Sequence, residues 1–505
     1  MTAAGGLPVG WSIALDPATR RIDGGRVVIG GAPLRVMRLT EAGAAWLDRA
    51  AAGEPLPASI GVRQLAGRLV DAGIAHPQPR PAESVEPVEP VAVSVVIPVR
   101  DDAAGLARTV ASVGPVSEVI VVDDGSADPA PIRQAAGRAT VLRNDTTSGP
   151  GGARQRGWLA ASTPVVAFVD SDIELPPGWL PPLLAHLGDE LVGAVAPRVR
   201  ASPGRAPAWL AGYERARSPL DLGGGPGSVR PGARVPYVPT TTLLVRREAL
   251  ASIDGFDEAL RFGEDVDLVW RLVGAGWRVR YEPSVEVSHP SRPSLPKWIG
   301  QRVRYGTSAA ALTRRHPGAV APLRISGWSG LAWAAVVAGR PVVGAGIGAG
   351  TTAALVPKLR GLDHPIREAL KLAGMGNVWA GRAVAEAIRR PWWPIAVAVG
   401  AVSRRSRPAL VAAAVAPLLL EWRERKPELD VTRFVGLRLL DDMSYGAGVW
   451  LGCLQERSLA ALRPAFTGPV PVSRDVSKRA SPDRDRPGDG RSRPPGGRSR
   501  RTARR

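Results

Sequence analysis

Val165-Val166-Ala167-Phe168-Val169-Asp170-Ser171-Asp172 carries the strongest fold signal in the chain. Five consecutive apolar residues with no polar alternation predict a strand buried on both faces, as in a parallel sheet covered by helices. The run stops abruptly in two carboxylates with one residue between them. Open α/β sheets bind ligands beyond the carboxyl ends of their strands, so this is where a site is expected. Two oxygen donors at that spacing suit Mg²⁺ or Mn²⁺ bridging to a diphosphate, and the competing reading is a solvated turn. Apolar Val169 and Ile173 on either side favour the metal.

The same pattern repeats upstream. Val93-Ser94-Val95-Val96-Ile97-Pro98 and Val119-Ile120-Val121-Val122 predict two more buried strands, and the second ends in Asp123-Asp124-Gly125-Ser126. Helix-like segments, Ala103–Val113 and Gly152–Ala161, alternate with them. Strands alternating with helices imply right-handed crossovers and a mainly parallel, Rossmann-like sheet from about Val91 to His316. Asp123-Asp124-Gly125 alone reads equally well as a turn. Downstream, Gly263-Glu264-Asp265-Val266-Asp267 opens a helix with Val266, Val269, Trp270 and Leu272 on its apolar face. The helix N-terminus stabilises negative charge at Glu264 or Asp265. Last come His289, a candidate third metal ligand, and Arg292, a candidate diphosphate clamp. Each signal alone has an ordinary structural explanation; together they point to a metal–diphosphate site. Between them, the arginine-rich, Gly-rich stretch Ser202–Pro236 reads as a loop closing over the site or as a surface excursion, and Thr241 is a candidate acceptor contact.

Around this module the chain divides by composition. Residues 1–76 read as strands followed by helices, a small winged-helix-like unit. Residues 77–90 form a Pro/Glu linker, stiff and acidic. Residues 317–465 are rich in Ala and Trp and predict a helical region. Its apolar runs, Trp328–Gly339, Pro341–Pro357, Pro394–Val402 and Ala409–Leu420, are each shorter than the roughly 20 residues that cross a bilayer unaided. Flanking arginines and Trp392-Trp393 suit contact with an anionic membrane surface. Residues 466–505 are a basic tail too poor in apolar residues to fold.

The 505 residues carry 66 Lys/Arg against 46 Asp/Glu, a net +20, which points to an anionic partner. From Ser473 onward the tail holds 12 Lys/Arg and 4 Asp, a net +8 that says little about the folded part. The single cysteine, Cys453, excludes an intramolecular disulfide and a cysteine zinc site. The N-terminus has no basic-then-apolar pattern, so no signal peptide is expected.

In order, Ser94-Val95-Val96-Ile97-Pro98, Val122-Asp123-Asp124-Gly125-Ser126, Gly152-Ala153-Arg154-Gln155-Arg156-Gly157, Asp170-Ser171-Asp172, Gly255-Phe256-Asp257-Glu258 and Gly263-Glu264-Asp265-Val266-Asp267 resemble the family 2 glycosyltransferases of the GT-A fold. The resemblance implies an α/β GT-A domain and inverting transfer from a nucleotide-diphosphate sugar. Pro98, Val99 and Asp124 would hold the uridine, and Arg154 and Arg156 would lie near the diphosphate. Asp170 and Asp172 would hold the donor and its Mg²⁺ or Mn²⁺, with Asp265 as general base. Glu264 and Arg292 would contact diphosphate or acceptor. Gln155 stands where the family often has Asn.

The three-part layout also resembles the mycofactocin-pathway glycosyltransferases, whose N-terminal part is similar to peptide-recognition domains. That likeness implies UDP-glucose as donor and the peptide-derived small molecule premycofactocin as acceptor, extended as a β-1,4-glucan. The precursor peptide is a further candidate partner. The expected location is the cytoplasm or the cytoplasmic face of the cell membrane. The alternatives are a transferase building a cell-wall or lipid-linked glycan and, more remotely, a nucleic-acid-binding protein. Nucleic acid is not expected as a partner, because no concentrated basic recognition helix is present.

Overall fold

The computed structural model describes residues 6–80, 91–360 and 362–467. The acidic linker beyond residue 80 and the basic tail beyond residue 467 lie outside the described residues.

The N-terminal module holds strands Ser12–Leu15, Arg20–Ile22, Val27–Gly30 and Arg35–Arg38, then helices Glu41–Ala51 and Ile60–Ala72, then strand Ala75–Gln78. Thr40 caps the first helix by accepting from the Gly43 N–H at 3.1 Å. Gly73 ends the second in a left-handed conformation, φ 72°, open to glycine without strain. Trp11, Val28, Trp46, Leu47 and Leu69 form the core. Two small sheets and two helices stand where the sequence predicts a winged-helix-like unit. The last strand pairs antiparallel with the first, Pro77 opposite Ile13 and Gln78 opposite Ser12, and so runs two residues past the expected boundary at 76. Its sequence, Ala-His-Pro-Gln, has no β-branched residue and gives no strand signal.

The central module is built on an eight-stranded sheet. In spatial order its strands are Gly227–Val229, Arg278–Pro290, Val192–Ser202, Thr242–Arg246, Val165–Val169, Val91–Val99, Val116–Asp123 and Thr140–Arg143. The sheet is mixed but mostly parallel. Thr242–Arg246 runs antiparallel to both neighbours, and Gly227–Val229 is an antiparallel edge. Val165–Val169 is buried at every residue, as its apolar run demands. Two clusters sandwich the sheet, one around Val95, Val121 and Val169, the other around Val96, Phe168 and Leu243. The stretch Ser202–Pro236 is more than a loop: it contains helix Ala208–Arg217, whose Leu210 and Tyr213 are buried with Trp298 and Phe434.

The N-terminal module packs on the edge of this sheet. Arg278 donates to Asp71 at 2.9 and 2.8 Å and to Asp189 at 2.9 Å, and Ser228 Oγ donates to the Val70 carbonyl at 3.0 Å.

Helix Leu295–Arg315 leads into the C-terminal helices Gly327–Val337, Pro341–Leu355, Pro365–Arg389, Trp393–Val402, Arg407–Arg425 and Val431–Gln455. The last of these crosses Leu295–Arg315 with backbones almost touching. A Cβ at Gly306 would meet the Tyr445 carbonyl at 2.1 Å, and one at Gly448 the Val303 carbonyl at 2.0 Å, so only glycine fits. Strand Arg324–Ser326 pairs parallel with Ala465–Thr467 and closes the region. One expectation fails on length. Val356–Leu359 continues Pro341–Leu355 as a tighter turn, giving a 19-residue helix long and apolar enough to cross a membrane.

Candidate active site

The site gathers at the carboxyl ends of the central strands. Val169 ends its strand and hands Asp170 to the opening, where the Asp170 N–H donates to the Thr241 carbonyl at 2.9 Å. Thr241 is itself buried, and its peptide oxygen also accepts from the Thr242 hydroxyl. Its part in the site is therefore to fix the Asp170 backbone.

Arg154 is the centre of the arrangement. Its buried guanidinium donates to Asp170 at 2.5 Å and to Glu264 at 3.0 Å, tying the two acidic motifs together. Gly151 and Gly152 on the same helix are buried, and a Cβ on Gly151 would press on the Glu264 side chain at 3.3–3.4 Å. The resemblance puts Arg154 near the diphosphate; in the structure two of its donors face carboxylates and its Nε has no partner among the described residues. Arg156, two residues on, points the other way. It donates to the Arg143 carbonyl at 2.7 Å and to Asn144 at 2.5 Å.

Asp124 is buried and saturated. It accepts from Asn144, Thr147, the Ser148 N–H and hydroxyl, and the Gly149 N–H, at 2.7–2.9 Å. Burial works to raise its pKa, but these donors outweigh it and hold the carboxyl below the usual range. Asp124 thus shapes the turn that starts helix Gly149–Ala160. Its own N–H donates to the Val99 carbonyl at 2.9 Å, which anchors the Pro98-Val99 strand end beside it.

Asp172 and His289 meet across the opening, His289 Nε2 lying 3.6 Å from an Asp172 oxygen. Strand Arg278–Pro290 delivers the histidine by pairing His289 with Ala201. Burial raises the Asp172 pKa against the pull of His289 and Arg292, with Asp170 adding repulsion. A half-buried carboxylate oxygen facing an imidazole nitrogen is a donor pair that suits a divalent cation. Among the described residues no cluster of three His, Cys, Asp or Glu side chains could hold a metal by itself. Arg292 is within electrostatic reach of Asp172, and its buried Nε has no hydrogen-bond partner among the described residues.

Asp265 sits in the first turn of helix Glu264–Gly274, after Gly263 in a left-handed conformation at φ 80°. Its carboxylate accepts from the Val266 N–H at 2.8 Å. Desolvation, with the Glu264 carboxylate beside it, lifts its pKa to about 7. A carboxyl poised there can take a proton at neutral pH.

Sequence reasoning missed three features. Gln155 Oε1 accepts from the Phe256 N–H and Trp158 Nε1, both at 2.7 Å, and so locks Gly255-Phe256-Asp257 onto the arginine helix. Asn144 supports Asp124 and sits in no motif. Tyr237, Tyr305 and Tyr445, from three distant segments, gather on the Asp265 side: burial and the nearby Asp265 carboxylate push the Tyr237 pKa well up, with Tyr445 and Tyr305 adding to it.

Comparison with known proteins places the chain in a family. The family model described as Glycosyl transferase family 2 matches residues 94–253. The pre-mycofactocin glycosyltransferase of Mycobacterium tuberculosis is 38% identical over 481 residues, covering 91% of this chain and 98% of that protein. The succinoglycan biosynthesis protein ExoU of Rhizobium meliloti is 31% identical over 203 residues, 38% of this chain and 59% of its own length. Among solved structures, the mannosyltransferase PcManGT from Pyrobaculum calidifontis, in complex with GDP-Man and Mn²⁺, aligns with a TM-score of 0.39 at 16% identity, covering 72% of this chain and 90% of that one. The full-length likeness and the ordered site motifs make this chain a family 2 glycosyltransferase, belonging with the pre-mycofactocin glycosyltransferases.

Proposed function

We propose that the enzyme transfers glucose from UDP-glucose to premycofactocin with inversion and extends it as a β-1,4-glucan. The observation that carries the reading is Asp265: a carboxyl lifted to about 7, in the first turn of helix Glu264–Gly274 and one residue from the Glu264–Arg154–Asp170 tie. Asp265 removes the proton from the acceptor hydroxyl as that oxygen attacks the anomeric carbon. Asp172 and His289 would hold Mg²⁺ or Mn²⁺, and the ion when bound would supply positive charge for the departing diphosphate. Arg292 would bind a diphosphate oxygen, a reading supported by its buried Nε, which has no hydrogen-bond partner among the described residues. Pro98, Val99 and the turn built by Asp124 border the uridine. Arg154 acts as a positioning residue, holding Asp170 and Glu264 in register. The acceptor identity rests on the close relative's name, and the N-terminal module is the candidate site for the precursor peptide.

The location we propose is the cytoplasmic face of the membrane. Trp328, Val342, Trp379 and Val402 on the C-terminal helices are 60–90% exposed. Exposed Arg340, Arg360, Arg404, Arg405 and Arg407 interrupt these apolar surfaces. Apolar faces rimmed by arginine match an anionic bilayer surface.

Mass spectrometry of products from purified enzyme, premycofactocin and a panel of nucleotide sugars tests the function. Hexose additions from UDP-glucose are expected. Addition from another donor only, or none to premycofactocin, refutes it.

A further inference from the structure

The turn that carries Asp172 rests on one face of helix Ala103–Ser112. The buried hydroxyl of Thr109 lies 2.9 Å from the Ser171 carbonyl oxygen and 2.8 Å from that of Ile173. These are the peptide oxygens on either side of Asp172, and the single hydroxyl proton serves both. Four residues earlier, a Cβ at Gly105 would meet the Ser171 carbonyl at 2.8 Å, so the helix backbone itself bears on that peptide. Three residues later, Ser112 Oγ accepts from the Leu175 N–H at 3.2 Å. Positions 105, 109 and 112 share one helix face. Leu106, wholly buried in the sheet core, fixes the helix beneath the turn.

The same turn is tied to the strand that delivers His289. Glu174 and Ser288 exchange both backbone hydrogen bonds, each at 3.1 Å, in an antiparallel bridge. The bridge lies two residues after Asp172 and one before His289. The 3.6 Å approach of His289 Nε2 to the Asp172 carboxylate is therefore set from two sides, by the helix face and by the bridge.

Resting on the metal reading above, we propose that Thr109, with Ser112 beside it, is a positioning residue of the metal site. Its hydroxyl acts through the peptides flanking Asp172 and keeps that carboxylate turned toward His289. The protein has few donors to spend here: among the described residues no third His, Cys, Asp or Glu completes a cluster. A hard divalent cation bound this way takes its other ligands from water and from substrate phosphates. The direction of each protein ligand then weighs heavily on affinity. Hydrogen bonds that orient metal ligands from outside are worth about 10–100-fold in metal affinity.

Thr109→Val keeps the branched shape and removes the hydroxyl, while Thr109→Ser keeps the hydroxyl. Mn²⁺ is titrated into the full-length protein at saturating UDP, and the free ion is followed by electron paramagnetic resonance. A melting curve and UDP affinity without metal are the controls. Thr109→Val should weaken Mn²⁺ binding by about tenfold or more and Thr109→Ser by less than about threefold, with metal-free UDP affinity unchanged in both. Unchanged Mn²⁺ affinity in folded Thr109→Val overturns the proposal, as does an equal loss in Thr109→Ser. A matching loss of metal-free UDP affinity also overturns it, since that marks a general disturbance of the fold. If Thr109→Val does not fold, Ser112→Ala, which removes the acceptor for the Leu175 N–H, decides by the same Mn²⁺ and UDP readings. A parent enzyme that binds no Mn²⁺ in the presence of UDP overturns the metal reading itself; a parent that binds it as tightly as the variants overturns only the role of Thr109.

Discussion

Replacing Arg154 by methionine keeps the aliphatic stem and removes the guanidinium between Asp170 and Glu264. The arginine side chain is 5% exposed, Asp170 27% and Glu264 11%. Asp170 can turn to water, so most of the cost falls on Glu264, left buried without its cation. Breaking one side of a buried ion pair costs about 3–5 kcal/mol, and the relief available to Asp170 argues for the lower end. At ~2–4 °C per kcal/mol for a domain this size, the melting temperature should fall by about 6–12 °C. The pH dependence adds a signature. Burial already raises the Glu264 pKa even with Arg154 present. Without Arg154 it rises further above the unfolded value, so the native state binds a proton the unfolded state lacks. Stability then falls as pH rises between the two pKa values, by up to about 1.4 kcal/mol per pH unit. Adding Glu264→Gln removes the buried charge and should recover most of the stability. Differential scanning calorimetry at pH 5, 6.5 and 8 reads all three effects. A single variant melting within about 2 °C of the parent, with no pH slope, would refute the tie as a structural element.

Further expectations concern the base, the helix crossing and the membrane. The ratio kcat/KM should fall with decreasing pH below about 7, because Asp265 must be ionised to accept a proton, and a flat profile from pH 5 to 8 would remove it as the base. Gly306→Val drives a side chain toward the Tyr445 carbonyl, where even a Cβ would lie at 2.1 Å. Overpacking of this kind costs about 1–3 kcal/mol or more, so a lowered melting temperature is expected, and an unchanged one would show that the two helices separate at no cost. In flotation assays the protein should bind vesicles containing anionic lipid. Reversing Arg404, Arg405 and Arg407 to Glu should weaken that binding by tenfold or more, at about 1 kcal/mol for each arginine near the surface. Equal flotation with purely zwitterionic vesicles would contradict the docking surface.

The catalytic fold was readable because its signals are local. Val165–Val169 and Val119–Val122 are short apolar runs whose burial and carboxylate endings follow from a few adjacent residues. The antiparallel strand Thr242–Arg246 was not visible, since its place in the sheet is set by pairing with strands some 50–80 residues away. The site divides in the same way. Asp170, Asp172 and Asp265 announce themselves at strand and helix ends. The Arg154–Glu264 contact spans 110 residues and leaves no local pattern. The saturation of Asp124 depends on side chains and backbone from the turn at 144–149, which looks like any polar loop. The C-terminal runs looked like separate short segments because Pro357 reads as a stop; the chain there only tightens its turn.

The central claim is that Asp265 and the Asp172–His289 pair carry a metal-dependent sugar transfer from UDP-glucose. The most direct measurement is the rate of sugar transfer to premycofactocin, with and without chelator, for the parent enzyme, Asp265→Asn and Asp172→Ala. The account predicts that chelator stops the parent enzyme and that Asp265→Asn loses on the order of 10²–10⁴ in rate while still binding UDP. Asp172→Ala should lose activity that added Mn²⁺ does not restore. Full activity in either variant, or transfer indifferent to chelator, would contradict it.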